Sequence, residues 1–170
     1  LGTLKASIPI LIVPETVNAP DASGKTPTNL DVGILGETLV AEWYQSQGGI
    51  VLQRRWTCRS GELDLIVKTA TATLIFIEVK TRSRGNWDHD GLLAITPRKR
   101  EKLITAAQLF LVKHPHLSEL PCRFDVALVH CQKIPKGRNQ PNRDNFPPHP
   151  TKLVSCYQFT LQTYIQNAFD

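Results

Sequence analysis

The sequence predicts an α/β domain in which helices flank a mixed β-sheet. Two helical periods, Gly33–Gln47 and 97–113, enclose three short apolar strands, and a further strand follows the second helix. With 170 residues, 41% of them apolar, the chain is the size of one domain with a core of its own.

Residues 1–30 are rich in Pro, Thr, Ser and Asn without a sustained period, and are expected to form a flexible extension with one short strand at Ile8–Val13. The domain proper is assigned to 31–170. Its first helix, Gly33–Gln47, stops at Gly48-Gly49. Strands follow at Ile50–Trp56, Glu62–Lys68 and Thr73–Lys80, the last two forming a hairpin that turns near Thr71. Thr96 caps the second helix, Pro97 takes its first position, and it runs to Lys113. That helix is the natural crossover between parallel strands 73–80 and 123–130. Residues 132–150, with five prolines between Pro135 and Pro150, read as an irregular proline-rich insertion. A last strand is expected at Leu153–Leu161.

Twenty Lys and Arg against fifteen Asp and Glu give a net charge of +5, which suits a polyanionic partner such as nucleic acid. The four cysteines form no C-x-x-C pair, which argues against a zinc site, and they read as reduced thiols of a cytoplasmic protein. No apolar run approaches the length of a bilayer, so no membrane partner is expected. The chain contains no Met, and a start trimmed of its initiator is expected.

The chemistry concentrates in Gly61-Glu62-Leu63-Asp64 and Ile77-Glu78-Val79-Lys80. Alternation along a strand puts Leu74, Phe76, Glu78 and Lys80 on one face and Ile75, Ile77 and Val79 on the other. Apolar residues on both faces mark a covered strand, an expensive place for charges without partners. Pairing Ile66 with Phe76 sets Asp64 opposite Glu78 and Glu62 opposite Lys80, with opposed Cβ atoms roughly 5 Å apart. Two carboxylates that close call for a proton or a cation between them, and few hard oxygen ligands with room for water suit Mg²⁺. Lys80 would orient a water or stabilise charge on a phosphoryl group.

On a helical wheel Thr38, Glu42 and Gln45 form a polar sector, with Ser46 at its edge, while Glu37 falls inward. An inward Glu is either a third metal-site carboxylate or the partner of a buried Arg. Arg98, Lys99, Arg100 and Lys102 crowd the start of the second helix against its dipole, an arrangement a bound phosphate would relieve. With Arg54, Arg55, Arg59, Arg82 and Arg84 they fit a phosphate-tracking groove, although each alone is an ordinary solvated charge. Asp88-His89-Asp90 lies in a loop and is set aside as a metal site. His114 and His116 are expected at the surface, Trp43, Trp56 and Phe124 in the core, and Trp87 in a loop where it could stack on a base.

Gly33-x-x-Gly36-Glu37-x-x-x-Ala41-x-x-Tyr44, Arg54-x-Trp56, Gly61-Glu62-Leu63-Asp64-Leu65-Ile66 and Phe76-Ile77-Glu78-Val79-Lys80-Thr81-Arg82 together resemble the bacterial YraN-like family of uncharacterised proteins. Lys99, Arg123-Phe124-Asp125-Val126 and Asn167-Ala168-Phe169 fit the same pattern. The resemblance implies a restriction-endonuclease-like, Holliday-junction-resolvase-like fold of the PD-(D/E)XK type. It implies Asp64 and Glu78 as ligands of Mg²⁺ or Mn²⁺, Lys80 as the catalytic lysine, and Glu37 as the acidic residue of the first helix, joining both the metal and the catalytic set. A metal-dependent endonuclease acting on DNA, branched DNA included, and working as a homodimer is the function so implied. The rival is a noncatalytic nucleic-acid-binding or adaptor protein that keeps the fold. A weaker third reading is an interaction module acting through the 132–150 insertion.

Overall fold

A computed structural model describes residues 29–83, 95–135 and 149–169. In chain order it contains α1 (Asn29–Ser46), β1 (Ile50–Cys58), β2 (Gly61–Lys68), β3 (Leu74–Arg82), α2 (Pro97–Lys113), a 3₁₀ turn (Pro115–Leu117), β4 (Cys122–Lys133), β5 (Thr151–Val154) and β6 (Tyr157–Phe169). The strands form one mixed sheet in the order β1-β2-β3-β4-β6-β5. Only β3 and β4 run parallel, and α2 is the connection between them.

Local chemistry fixes the element ends. Gly48 adopts φ 79° and its N–H donates to Gln45 O at 3.1 Å, closing α1 in the left-handed conformation that glycine tolerates. The Thr96 hydroxyl accepts from the Lys99 N–H at 3.3 Å, and Pro97 occupies the first turn of α2. Between β2 and β3 the Thr69 N–H donates to Thr73 O at 2.9 Å around Ala72, whose φ is 61°.

The sheet separates two apolar cores. On one face α1 packs Leu39, Val40, Trp43 and Tyr44 against Leu65, Val67, Ile75, Ile77 and Val79. On the other α2 packs Leu103, Ala106, Ala107 and Phe110 against Ile66, Leu74 and Phe76. Trp43 is buried, and Trp56 and Phe124 pack half-buried on the α2 core.

Several expectations are corrected. Leu153–Leu161 is not one strand but parts of β5 and β6, which turn at Ser155 (φ 53°) and pair back on each other. β6 then continues to Phe169 beside β4. β4 reaches Lys133, taking the first two residues assigned to the insertion, and α1 starts two residues inside the expected extension. Glu42 does not face solvent: its carboxylate pairs with Lys152 of β5. His114 is not a free surface imidazole, because its ring stacks on Phe110 at 4.1 Å and its Nδ1 hydrogen-bonds Phe110 O at 2.8 Å. The expected Ile8–Val13 strand, Trp87 and Asp88-His89-Asp90 lie outside the described residues, as does most of the insertion.

Candidate metal and phosphate site

β2 and β3 pair in the expected register, with Ile66 opposite Phe76 and Leu65 opposite Ile77. The pairing does not run on to Asp64 and Glu78, nor to Glu62 and Lys80. Leu63 joins the α2-side core together with Ile66, so strict alternation breaks at Asp64. Across from it β1 is irregular too, since Arg55 adopts φ 49° between the pairs Arg54–Leu65 and Trp56–Leu63. Asp64 turns toward β3, where its Oδ2 accepts the Val79 N–H at 2.8 Å. A side chain thus satisfies a strand donor beyond the end of the ladder.

Glu78 continues the α2-facing side of β3 and is buried at 3% exposure. Its Oε1 receives two ammonium groups: Lys80 Nζ at 2.5 Å and Lys99 Nζ, from the first turn of α2, at 3.1 Å. Its Oε2 is buried and has no hydrogen-bond partner among the described residues. Burial, and next the negative charge of Glu78, push the Asp64 carboxyl from 3.8 up to about 7; the Val79 N–H and Lys99 oppose the shift. Burial also raises Glu37, against the pull of Arg55 and Arg54 and with the push of Glu62 and Glu78.

Glu37 acts on Asp64 and is acted on by Glu78, so the three acids share one electrostatic neighbourhood. Among the described residues no three His, Cys, Asp or Glu side chains gather closely enough to hold a metal ion. Glu37 lies in the electrostatic reach of Arg55 and Arg54 as well as of Glu62 and Glu78. Asp64 and Glu78 fit a hard divalent cation. They repel each other, one oxygen is left without a donor, and two carboxylates leave coordination positions for water and phosphate.

The basic residues divide. Arg54 is exposed and reaches Thr38 Oγ1 of α1 at 3.5 Å, and Arg82 and Lys102 are exposed. Arg55 is bound to Glu62 at 2.8 Å. Arg100 turns into the structure: its Nε donates to Ile95 O at 3.3 Å and its guanidinium lies 5.7 Å from the centre of the Phe169 ring. These two contacts orient Arg100 from one side while it stays half-buried. Arg84 lies outside the described residues.

Sequence reasoning gave Asp125 no role. It is fully buried in β4 and accepts from Arg123 Nε at 3.0 Å, Tyr164 OH at 2.6 Å and the Asn167 N–H at 3.0 Å. The Tyr164 and Tyr44 hydroxyls meet in turn, at 2.5 Å. The signal was the one that marked Glu78, a lone carboxylate in an apolar strand. Every oxygen here has its donor, so this cluster ties β6 and α1 to β4. Arg123, Tyr44 and Tyr164 also line a groove of about 560 Å³ that includes Thr69 and Thr71. It opens at the β2–β3 turn, away from Glu78, and holds no carboxylate pair.

The sequence model of "Uncharacterised protein family UPF0102" matches residues 36–129, which span both strands of the site, α2 and most of β4. A UPF0102 protein of Acaryochloris marina is 45% identical over 163 residues, covering 83% of this chain and 91% of that relative. One of Trichodesmium erythraeum is 41% identical over 172 residues, covering 88% and 96%, and one of Synechocystis is 43% identical over 146 residues, covering 82% and 97%. The chain belongs to the UPF0102 family, the YraN-like family of uncharacterised proteins.

Proposed function

We propose that this protein is a metal-dependent endonuclease of the restriction-endonuclease-like, PD-(D/E)XK class, hydrolysing phosphodiester bonds in nucleic acid, with DNA as the expected polymer. One observation carries the reading: a buried acid on β3 and a neutral-poised acid on the adjacent β2 converge beside a lysine of the same strand. The succession α1, three antiparallel strands, α2 as crossover and parallel β4 supports the fold assignment.

Asp64 and Glu78 would hold Mg²⁺ or Mn²⁺, which when bound supplies a polarised phosphate and a water of lowered pKa. The protein's own groups do the rest. Val79 N–H fixes the Asp64 carboxylate, so the two acids meet in one orientation. Lys80, held against Glu78 and about a third exposed, reaches from the buried acid toward solvent, where it can orient the attacking water and stabilise the phosphoryl charge. Arg54, Arg82 and Lys102 would hold flanking phosphates.

The noncatalytic nucleic-acid-binding reading draws on a separate observation. Two lysines already neutralise Glu78 without any metal, an arrangement that a purely structural ion cluster would also adopt. Labelled single strand, duplex, flap and four-way junction, incubated with Mg²⁺ or Mn²⁺, separate the two. Cutting that Glu78→Ala and Lys80→Ala both abolish is the expected result. No cutting, or cutting that survives both substitutions, overturns the nuclease assignment and leaves the binding protein.

A further inference from the structure

Glu78 Oε1 serves two ammonium groups that come from different elements. Lys80 stands two residues along the same strand and on the same side, at 2.5 Å. Lys99 reaches across from α2 at 3.1 Å, on a turn that Thr96 and Pro97 fix in place. Glu78 balances only one of these charges, and Lys99 also acts on the neighbouring Asp64. Both lysines are about a third exposed, at 32% and 35%, so each has a path to solvent although Glu78 has none.

We propose that Lys99 is an exchanging cation, which holds Glu78 while no divalent ion is present and moves to a phosphate of the nucleic acid when one binds. The inference rests on the metal-site reading above. A divalent ion on Glu78 and an ammonium within a few ångströms of the same carboxylate repel each other, whichever oxygen the ion takes. Lys80 is the worse candidate to leave, since its contact is shorter and its backbone lies in the middle of the sheet. Lys99 is the better one. It sits at the N-terminus of a helix, where the backbone dipole already disfavours a cation and favours an anion. Exposed Arg98 and Lys102 on either side make the same turn a place where a phosphate is attracted. Leaving Glu78 therefore moves Lys99 from a carboxylate to a phosphate, not from a partner to none.

The test uses the full chain and a short DNA duplex. Calorimetric titration with Mn²⁺ is compared among the wild type, Lys99→Met and Lys99→Arg, and duplex affinity is measured with and without Ca²⁺. Removing the competing charge is expected to tighten Mn²⁺ binding roughly tenfold in Lys99→Met, while Lys99→Arg stays near the wild type. Ca²⁺ is expected to strengthen duplex binding in the wild type and to lose most of that effect in Lys99→Met. A residue that only braces Glu78 predicts the opposite sign, weaker Mn²⁺ binding on its removal. Unchanged or weaker Mn²⁺ binding in a Lys99→Met protein that melts like the wild type overturns the exchange and leaves the metal site standing. No Mn²⁺ binding by the wild type overturns the metal site itself, and the exchange with it.

Discussion

Asp64 has its carboxyl raised toward neutral pH by burial and by the charge of Glu78. Folded, its carboxyl keeps a proton up to about pH 7; unfolded, only to about 3.8. Between those values the folded chain binds more protons, so this group's contribution to stability falls as pH rises and is fully lost above 7. Asp64→Asn keeps an oxygen for the Val79 N–H and removes the charge. The variant is expected to match the wild type near pH 4 and to exceed it at pH 8 by about 1–2 kcal/mol, while losing Mn²⁺ binding. Urea unfolding at the two pH values checks it, and a difference that does not change with pH would sink the assignment. Glu78 and Lys80 were legible in the sequence because charge at the end of an apolar strand is costly and demands an explanation. The contact of Lys99 with Glu78 was not legible, since no sequence spacing relates the first turn of α2 to the end of β3. Asp125 carried the same strand signal as Glu78, but its partners Tyr164 and Asn167 stand in a strand whose extent the sequence did not reveal. Asp125→Ala would leave Arg123 and the Asn167 N–H without their acceptor, and a loss of about 3–5 kcal/mol in thermal or urea unfolding is expected.

Between elements, the contact that sets α1 over the site is Gly36 against Thr81. A Cβ at Gly36 would fall 1.9 Å from Thr81 Oγ1, with the Thr81 Cβ at 3.1 Å, so the hydroxyl is the atom that must move before alanine fits. The backbone of α1 thus approaches β3 at the residue next to Glu37. Gly36→Ala is expected to destabilise the fold by about 1–2 kcal/mol, the overpacking strain being partly offset by the better helix propensity of alanine. Thr81→Ala should restore most of that loss, because the nearest atom goes with the hydroxyl, which has no partner of its own among the described residues. A double-mutant cycle with no coupling would show that the helix can shift freely. The sequence disclosed α1, α2 and the β2–β3 register because period and capping are local signals. It concealed the β5–β6 turn because Ser155-Cys156 carries no glycine or proline, the left-handed residue being Ser155. Glu42 misled for a related reason: a helical wheel assigns faces but does not know that β5 brings Lys152 to one of them.

Over the whole molecule, the net charge of +5 matters less than where its cations end. Arg54, Arg82 and Lys102 are among the exposed described basic residues, with Arg59, Arg98, Lys113 and Lys133, and Lys80 and Lys99 sit at the carboxylates. Arg55 and Arg100 face other groups, one bound to Glu62 and the other packed on Phe169. If five cations meet phosphates, the logarithm of duplex affinity should fall against the logarithm of salt with a slope of about −4 to −5. Each phosphate contact removed should lower that slope by about 0.9. Lys102→Ala is therefore expected to flatten the salt dependence by about one unit and leave the melting temperature unchanged. Arg100→Ala is expected to do the reverse, holding the slope while destabilising the fold by about 1 kcal/mol through loss of the cation–π contact. Fluorescence anisotropy over a salt series, beside thermal melts of both variants, distinguishes them. A flatter slope in Arg100→Ala together with an unchanged one in Lys102→Ala would place the phosphate path on the Phe169 side of α2, away from Asp64 and Glu78, and so detach nucleic-acid binding from the carboxylate site altogether.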